Sequence, residues 1–333
     1  MSTTVAAYQL VETDEGVRGR HTRIPLEDLG EGDVLIRVTH SSVNYKDGLA
    51  ATGRAPIARR LPLVGGGCAA GTVVEPGESG LPADTVVAVV GATLSEQHNG
   101  GYCEYLRVPA AWVVAVPEAF TSRQAAAIGT AGVTSAMAVV KLEDAGVTPE
   151  SGPIAVTGAS GGAGSLAVAL LAARGYEVTA LTGKPEAEDL LRDLGAANVA
   201  PRPDTSGTRP LERGTWAGAV DTVGGDTLAW LTRTVAPGGS IAAFGNAGGN
   251  RLTTTVLPFI LRGINLLGVT VTFPAAELRE RVWELLASSL SREALDAIAT
   301  DVDFEDLDDA LRRIVTTGVV GRQVVRIGGE AAV

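Results

Sequence analysis

Ile154–Ser165 reads IAVTGASGGAGS, and the fold turns on this stretch. Ile154–Thr157 makes a short apolar strand, Gly158, Gly161, Gly162 and Gly164 follow, and Leu166–Ala173 departs as an Ala/Leu helix. Glycines permit the tight reversal and let the backbone approach a pyrophosphate closely. The helix N-terminus adds unpaired N–H groups and the positive end of its dipole. The spacing departs from a strict G-x-G-x-x-G because Ser160 stands at the second glycine position. Such a turn in isolation serves equally well to pack a helix on a sheet; the strand before it and the helix after it favour a dinucleotide site.

The alternation continues toward the C-terminus. Tyr176–Thr182 reads as the next strand and Glu186–Leu194 as the next helix, and Ala219–Val223, Ser240–Gly245 and Asn265–Val271 supply three later strands. Strand and helix in alternation imply a doubly wound parallel sheet with right-handed crossovers, a Rossmann domain. Two further helices, Ala275–Leu290 and Phe304–Thr316, precede a last strand at Gln323–Ile327 that is expected to return to the first domain. On the N-terminal side the character is different. Val34–Val38, Gly71–Val74, Thr85–Val90, Tyr105–Val108 and Trp112–Val116 are short strand-like runs separated by Gly, Pro, Asn and Asp, so the first third reads as β-rich. Between the two parts, Ser122 is placed to cap one helix and Thr130 to open another.

Length and composition agree with an α/β protein of two domains, one of them β-rich: 333 residues exceed what one core organises, and no internal repeat is present. The formal net charge of −11 argues against nucleic acid or an anionic membrane surface as partner. Cys68 and Cys103 are the only cysteines, too few for a disulfide framework and without a CxxC pair for structural zinc. The first ten residues, MSTTVAAYQL, lack the basic and apolar regions of a secretory signal. No uninterrupted apolar stretch reads as long enough to span a bilayer, so the cytoplasm is the expected address.

The form of the dinucleotide is read at the end of the second strand. An NAD site usually carries Asp or Glu there for the ribose hydroxyls, whereas this chain has Thr182-Gly183-Lys184. A hydroxyl, a flexible backbone and a cation suit a 2′-phosphate, and Arg202 offers a second cation after the third strand. NADPH is therefore the expected cofactor, with a solvated helix-start lysine as the bland alternative for Lys184.

With these residues in place the chain resembles the medium-chain dehydrogenase/reductase superfamily, and within it the zinc-free quinone oxidoreductases of the acryloyl-CoA reductase type. The anchors are Ser42-Val43-Asn44-Tyr45-Lys46-Asp47, Ala159–Ser165, Tyr176–Lys184, Asp221–Gly225 (DTVGG), Ala247–Gly268 and Gly321-Arg322, which run nearly end to end. The resemblance implies a GroES-like catalytic domain over 1–124, completed by 296–333, a Rossmann domain over 125–295, an active site in the cleft and a homodimer. It also implies cofactor contacts at Thr130, Thr134, Ser160, Gly161, Gly162, Ala163, Thr182, Lys184, Arg202, Val223, Phe244, Gly245 and Thr270. Zinc-containing relatives carry Cys where Asn44 falls, Gly-His-Glu where Gly66-Gly67-Cys68 falls, and a four-cysteine lobe. None of the three is in this sequence, which implies chemistry without a metal.

The reaction this implies is hydride transfer from NADPH to the β-carbon of a small activated alkene, an acryloyl-CoA-like thioester or an enone. The enolate formed must be steadied by hydrogen-bond donors and protonated at the α-carbon. Tyr45 is the candidate proton donor or enolate partner and Asn44 an orienting amide; the bland alternatives are a pocket wall and a turn-holding residue. Asp47 reads as a turn-tethering carboxylate rather than a base. His21, His40 and His98 have no partner at ligand or triad spacing. Arg54, Arg59 and Arg60 are candidates for acyl-CoA phosphates, although solvated surface charge is the commoner role. Three residues depart from the family pattern and are expected at the substrate pocket or near the cleft: Cys68 replaces an Asp, Asn99 a Trp, and Thr270 lies in GVTV in place of GVDS. Alternative readings are a quinone or enone reductase of secondary metabolism, and an NADPH-binding protein with little catalysis.

Overall fold

A hairpin of two ten-residue strands, absent from the sequence reading, opens the computed structural model, which describes residues 3–316 and 318–328. β1 (Thr4–Thr13) and β2 (Gly16–Pro25) pair antiparallel along their full length. β2 carries Arg18, Arg20, His21 and Arg23 and buries only Ile24, so it shows no apolar run. Next come β3 (Val34–Val43), α1 (Tyr45–Ala51), β4 (Leu63–Val64), β5 (Cys68–Glu75), β6 (Val86–Val90), β7 (Tyr105–Val108) and β8 (Val113–Ala115). β4 joins the hairpin in the order β2-β1-β4. β3 is the spine of a second sheet, with β5 and β7 antiparallel to it, and of its ten residues only Arg37 is exposed. That burial on both faces explains why polar Thr39, His40, Ser41 and Ser42 lie in the interior.

α2 (Ser122–Asp144) is two helical pieces joined at Gly129, whose φ of 43° and ψ of −152° break the helix. The cap of the first piece is Thr121 rather than Ser122. Thr121 N–H donates to Gln124 Oε1 at 3.0 Å and Gln124 N–H to Thr121 Oγ1 at 3.3 Å, a reciprocal capping box. α2 corrects a second expectation. By length and apolarity it qualifies as a membrane span, and 83% of its most apolar window is buried inside the protein.

The second unit supplies the alternation. Its elements are β9 (Ile154–Thr157), α3 (Gly162–Ala173), β10 (Val178–Thr182), α4 (Glu188–Asp193), β11 (Asn198–Pro201), β12 (Trp216–Asp221), α5 (Gly225–Thr234), β13 (Val235–Ala243), α6 (Leu257–Arg262), β14 (Asn265–Gly268), α7 (Ala276–Ser289) and α8 (Arg292–Ile298). The sheet order is β11-β10-β9-β12-β13-β14, parallel throughout. Two βαβαβ halves thus diverge from β9 and β12, and ligands of such sheets bind beyond the carboxyl ends of the strands at that switch point. Residues Gly164–Leu171 of α3 are buried throughout, which an Ala/Leu sequence permits without stranding a polar side chain.

β15 (Ala299–Asp303), α9 (Leu307–Thr316) and β16 (Arg322–Arg326) close the chain. β16 pairs antiparallel with β3 and parallel with β15, so the last strand returns to the first sheet as expected. The compact units accordingly divide as the chain up to Thr130 with Val271–Phe273 and the chain from Ala299, against Ala131–Thr270 with Pro274–Ile298.

Candidate active site

In the second unit the glycine-rich turn joins β9 to α3. Gly158 has φ 60°, and a Cβ there would lie 2.5 Å from Thr222 Oγ1; one on Gly164 would lie 2.6 Å from Ala159 Cα. Gly161 opens α3 with no side-chain cap, and Ser165 N–H is the first to bond back, to Gly161 O at 2.9 Å. The N–H groups of Gly162, Ala163 and Gly164 therefore lack intrahelical partners. A Cβ on Gly161 would meet only Gly158 O, at 3.3 Å. Open backbone donors beside unfilled space fit a pyrophosphate.

Thr182, at the end of β10, donates through Oγ1 to Ser160 Oγ at 2.8 Å, and Lys184 N–H donates to Thr182 Oγ1 at 3.1 Å. Arg202, one residue past β11, lies against Gly183, where a Cβ would stand 2.8 Å from the guanidinium carbon. Ser160, Thr182, Lys184 and Arg202 thus form one cluster. Neither cation has a carboxylate partner among the described residues.

Asp221, at the end of β12, is fully buried. It accepts from Thr157 Oγ1 at 2.7 Å, Gly224 N–H at 2.8 Å and Val223 N–H at 3.4 Å. Burial pushes its carboxyl above the usual range, and those three donors oppose the shift. Its backbone oxygen accepts from Phe244 and Gly245 N–H at 3.1 and 3.2 Å, so Val223, Phe244 and Gly245 share one organiser. Thr134 is buried on α2, beside Ser135, which donates to Ala163 O at 2.8 Å. Thr270 follows β14.

In the first unit, Asn44 precedes α1 and Tyr45 is its first residue. Tyr45 is half-buried, and its hydroxyl makes no hydrogen bond among the described residues. Asn44 is different. Its Nδ2 donates to Asp47 Oδ2 at 2.8 Å and to Ser42 O at 3.3 Å, and its Oδ1 accepts from Arg322 Nη1 at 3.2 Å. Both N–H groups are committed inside the protein, so the geometry favours the turn-holding alternative over an orienting amide. Asp47 tethers the same turn, as its spacing suggests, by accepting Asn44 N–H at 3.1 Å. Burial raises its carboxyl; the Lys46 charge and hydrogen bonds from Asn44 and Tyr102 oppose this.

Cys68 is buried with Sγ 3.0 Å from Ser42 Oγ, and that hydroxyl accepts from Arg322 Nη2 at 2.6 Å. Asn99 is buried. Its Oδ1 accepts from Val64 N–H at 3.0 Å and its Nδ2 donates to Asp28 O and Leu29 O at 3.1 and 2.8 Å, so the side chain staples two backbone segments together. Thr130 donates to Gly67 O at 3.2 Å. Arg54 and Arg60 bond the backbone oxygens of Val315 and Gln97, each at 2.6 Å. His40 contacts Thr39 and Ser122 hydroxyls, His98 faces two carbonyl oxygens, and His21 packs edge-on against Tyr8 and Phe304. Among the described residues no three His, Cys, Asp or Glu side chains group as metal ligands.

Sequence reasoning missed Ser42, Tyr102 and the structural weight of Arg322. The available signal was the polar run His40–Ser42 inside an otherwise apolar strand, since buried polar residues demand partners.

Two family models match this chain: residues 30–118 fit the alcohol dehydrogenase GroES-like domain, and 162–288 the zinc-binding dehydrogenase domain. The acrylyl-CoA reductase AcuI of Ruegeria pomeroyi is 43% identical over 307 residues, covering 92% of this chain and 93% of that protein. The yhdH oxidoreductase of Salmonella enterica, solved in complex with NADP, superposes with a TM-score of 0.94 at 40% identity, covering 97% of this chain and 100% of that one. The Bacillus subtilis protein yhfP, solved with NAD bound, gives 0.91 at 40% identity, covering 98% and 100%. The chain belongs to the medium-chain dehydrogenase/reductase family of oxidoreductases. Within that family its likeness is to the acrylyl-CoA reductase and YhfP type, as its sequence anchors implied.

Proposed function

We propose that this protein is an NADPH-dependent reductase of an activated carbon–carbon double bond, an acryloyl-CoA-like thioester or a small enone. The observation that carries the cofactor half is the Ser160–Thr182–Lys184–Arg202 cluster, two cations without a carboxylate partner among the described residues and two hydroxyls, where an NAD site would hold a carboxylate. The likeness to AcuI and to the NADP-bound yhdH structure supports the same reading.

Bound at that cluster and at the open N–H groups of α3, NADPH supplies a hydride. Gly162, Ala163 and Gly164 bind the pyrophosphate through their backbone, while Lys184 and Arg202 take the 2′-phosphate. Asp221 holds the Thr222–Gly224 turn and the ends of β12 and β13 in place. Tyr45 presents a hydroxyl with no internal partner. That hydroxyl donates to an enolate oxygen or passes its proton to the α-carbon. No step needs a metal.

We also propose a cytoplasmic homodimer. Val256, Ile260 and Leu261 are 64–68% exposed on and beside α6, next to the sheet-edge strand β14, whose Leu266 is also exposed. An apolar patch at an open edge is the surface a second copy covers.

Purified protein, NADPH and a panel of acryloyl-CoA, crotonyl-CoA, simple enones and quinones test the function through loss of nicotinamide absorbance. Turnover of acryloyl-CoA or an enone is expected. Turnover of quinones alone would replace this reading with the quinone reductase, and tight NADPH binding without any turnover would overturn both.

A further inference from the structure

The first unit buries two opposite charges that form no ion pair with each other or with any other charge among the described residues. Arg322 is 3% exposed and Asp47 2%, and neither forms an ion pair among the described residues. One amide stands between them. Arg322 Nη1 donates to Asn44 Oδ1 at 3.2 Å, and Asn44 Nδ2 donates to Asp47 Oδ2 at 2.8 Å. We infer that Arg322 and Asp47 form a buried ion pair relayed through the Asn44 amide, and that this relay positions Tyr45. The inference rests on the reductase reading for the role of Tyr45, but not for the relay itself.

The amide can sit only one way. Flipped, its NH2 would face the guanidinium and its oxygen the carboxylate, repulsive at both ends. Each charge is also anchored elsewhere. Arg322 Nε donates to Ala127 O at 2.9 Å, Nη1 to Val43 O at 3.3 Å and Nη2 to Ser42 Oγ at 2.6 Å. Asp47 Oδ2 accepts from Asn44 N–H and from Tyr102 OH at 3.1 and 3.3 Å, while its Oδ1 has no partner. Asn44 O in turn accepts Asp47 and Gly48 N–H at 3.0 and 3.2 Å, closing the first turn of α1 on Tyr45. The body of α1 is held as well: a Cβ on Gly48 would press to 2.7 Å on Leu311 O of α9. Tyr45 therefore stands on a turn fixed by charge at one end and by close packing at the other. A buried charge whose partner is removed is strongly destabilising, so the relay is also a mutual requirement.

The groups facing Asp47 are Lys46, whose Nζ is paired with Glu96 at 2.6 Å, Tyr102, and Arg322 across the Asn44 amide, while Cys68 faces Tyr102 and Arg322. Burial raises the Asp47 carboxyl, so its anion is lost on acidification above the ordinary carboxylate range. Below that point the relay loses its negative end.

The test uses the full chain with Arg322→Gln, Arg322→Lys, Asp47→Asn and the double variant Arg322→Gln/Asp47→Asn. Urea unfolding is read first. The double variant is expected to lose at least about tenfold less in folding equilibrium constant than the product of the single losses, since groups in one network couple. With an acceptor that the wild type reduces, Arg322→Gln is expected to lower kcat by about 10- to 100-fold, the cost of a misplaced reacting group. NADPH affinity stays unchanged, Arg322→Lys recovers part of kcat, and the acid limb of the kcat–pH profile disappears in Asp47→Asn. Losses that simply multiply in the double variant overturn the relay. A folded Arg322→Gln protein with wild-type kcat, or an acid limb that survives Asp47→Asn, overturns the positioning role. A wild type that reduces no acceptor sinks the reductase reading, and the unfolding cycle still decides the relay.

Discussion

Replacing Arg202 by Gln separates the two forms of the cofactor most cleanly. The guanidinium lies against Gly183, beside Thr182 and Lys184, and has no carboxylate partner among the described residues. A charge-assisted hydrogen bond to phosphate contributes about 1.5–3 kcal/mol. The side chain is exposed, so water and salt screen it and the lower part of that range applies. The loss then corresponds to about 10- to 30-fold in NADPH Kd, at roughly 1.4 kcal/mol per factor of ten. NADH lacks the 2′-phosphate, and its Kd is expected to change less than about twofold on the same reasoning. Titration calorimetry at two salt concentrations reads both ligands, and the NADPH effect should shrink as salt rises. Equal weakening of NADPH and NADH would refute the phosphate assignment, because it would mean that Arg202 supports the loop and not the ligand. An unchanged NADPH Kd would refute it as directly.

Three further outcomes follow from single sites. Tyr45→Phe is expected to lower kcat by about 100-fold, the lower end for general acid catalysis, with NADPH Kd unchanged; a wild-type kcat would leave protonation to solvent. Ile260→Glu on the exposed face of α6 is expected to convert a dimer to a monomer in light scattering, and a dimer that survives would move the interface elsewhere. Burial pushes the Cys103 thiol from 9.0 up to about 11. The neutral form is the one the fold favours, so this contribution is complete below pH 9.0 and is lost as pH rises toward about 11. Wild type should therefore lose about 2 kcal/mol more than Cys103→Ala between pH 8 and 11, by linkage. Parallel losses in urea unfolding would contradict the assignment.

The sequence made the nucleotide end legible because its geometry is local. A strand, four glycines and a helix within twenty residues, Ile154–Ala173, specify the turn whatever the rest of the chain does. β9 spans the residues read from the apolar run, and the parallel sheet order follows from the alternation. The N-terminal hairpin was not legible, because β2 is an arginine-rich strand that buries one side chain. The stapling role of Asn99 was not legible either, because its three backbone bonds reach residues 35, 71 and 70 positions away. The Arg322–Asn44 contact spans 278 residues and depends on β16 pairing with β3, a register that no local pattern encodes. Local chemistry was visible and long-range polar pairing was not.

The most direct test of the central claim follows the hydride. Acryloyl-CoA is reduced with NADPH carrying deuterium at both positions of the nicotinamide C4, and the product is read by NMR; a parallel run uses unlabelled NADPH in D2O. Reduction of an activated alkene places the cofactor deuterium on the β-carbon of propionyl-CoA and the solvent deuterium on the α-carbon. Cofactor deuterium on the α-carbon, or a product without cofactor deuterium, would contradict hydride transfer to the alkene.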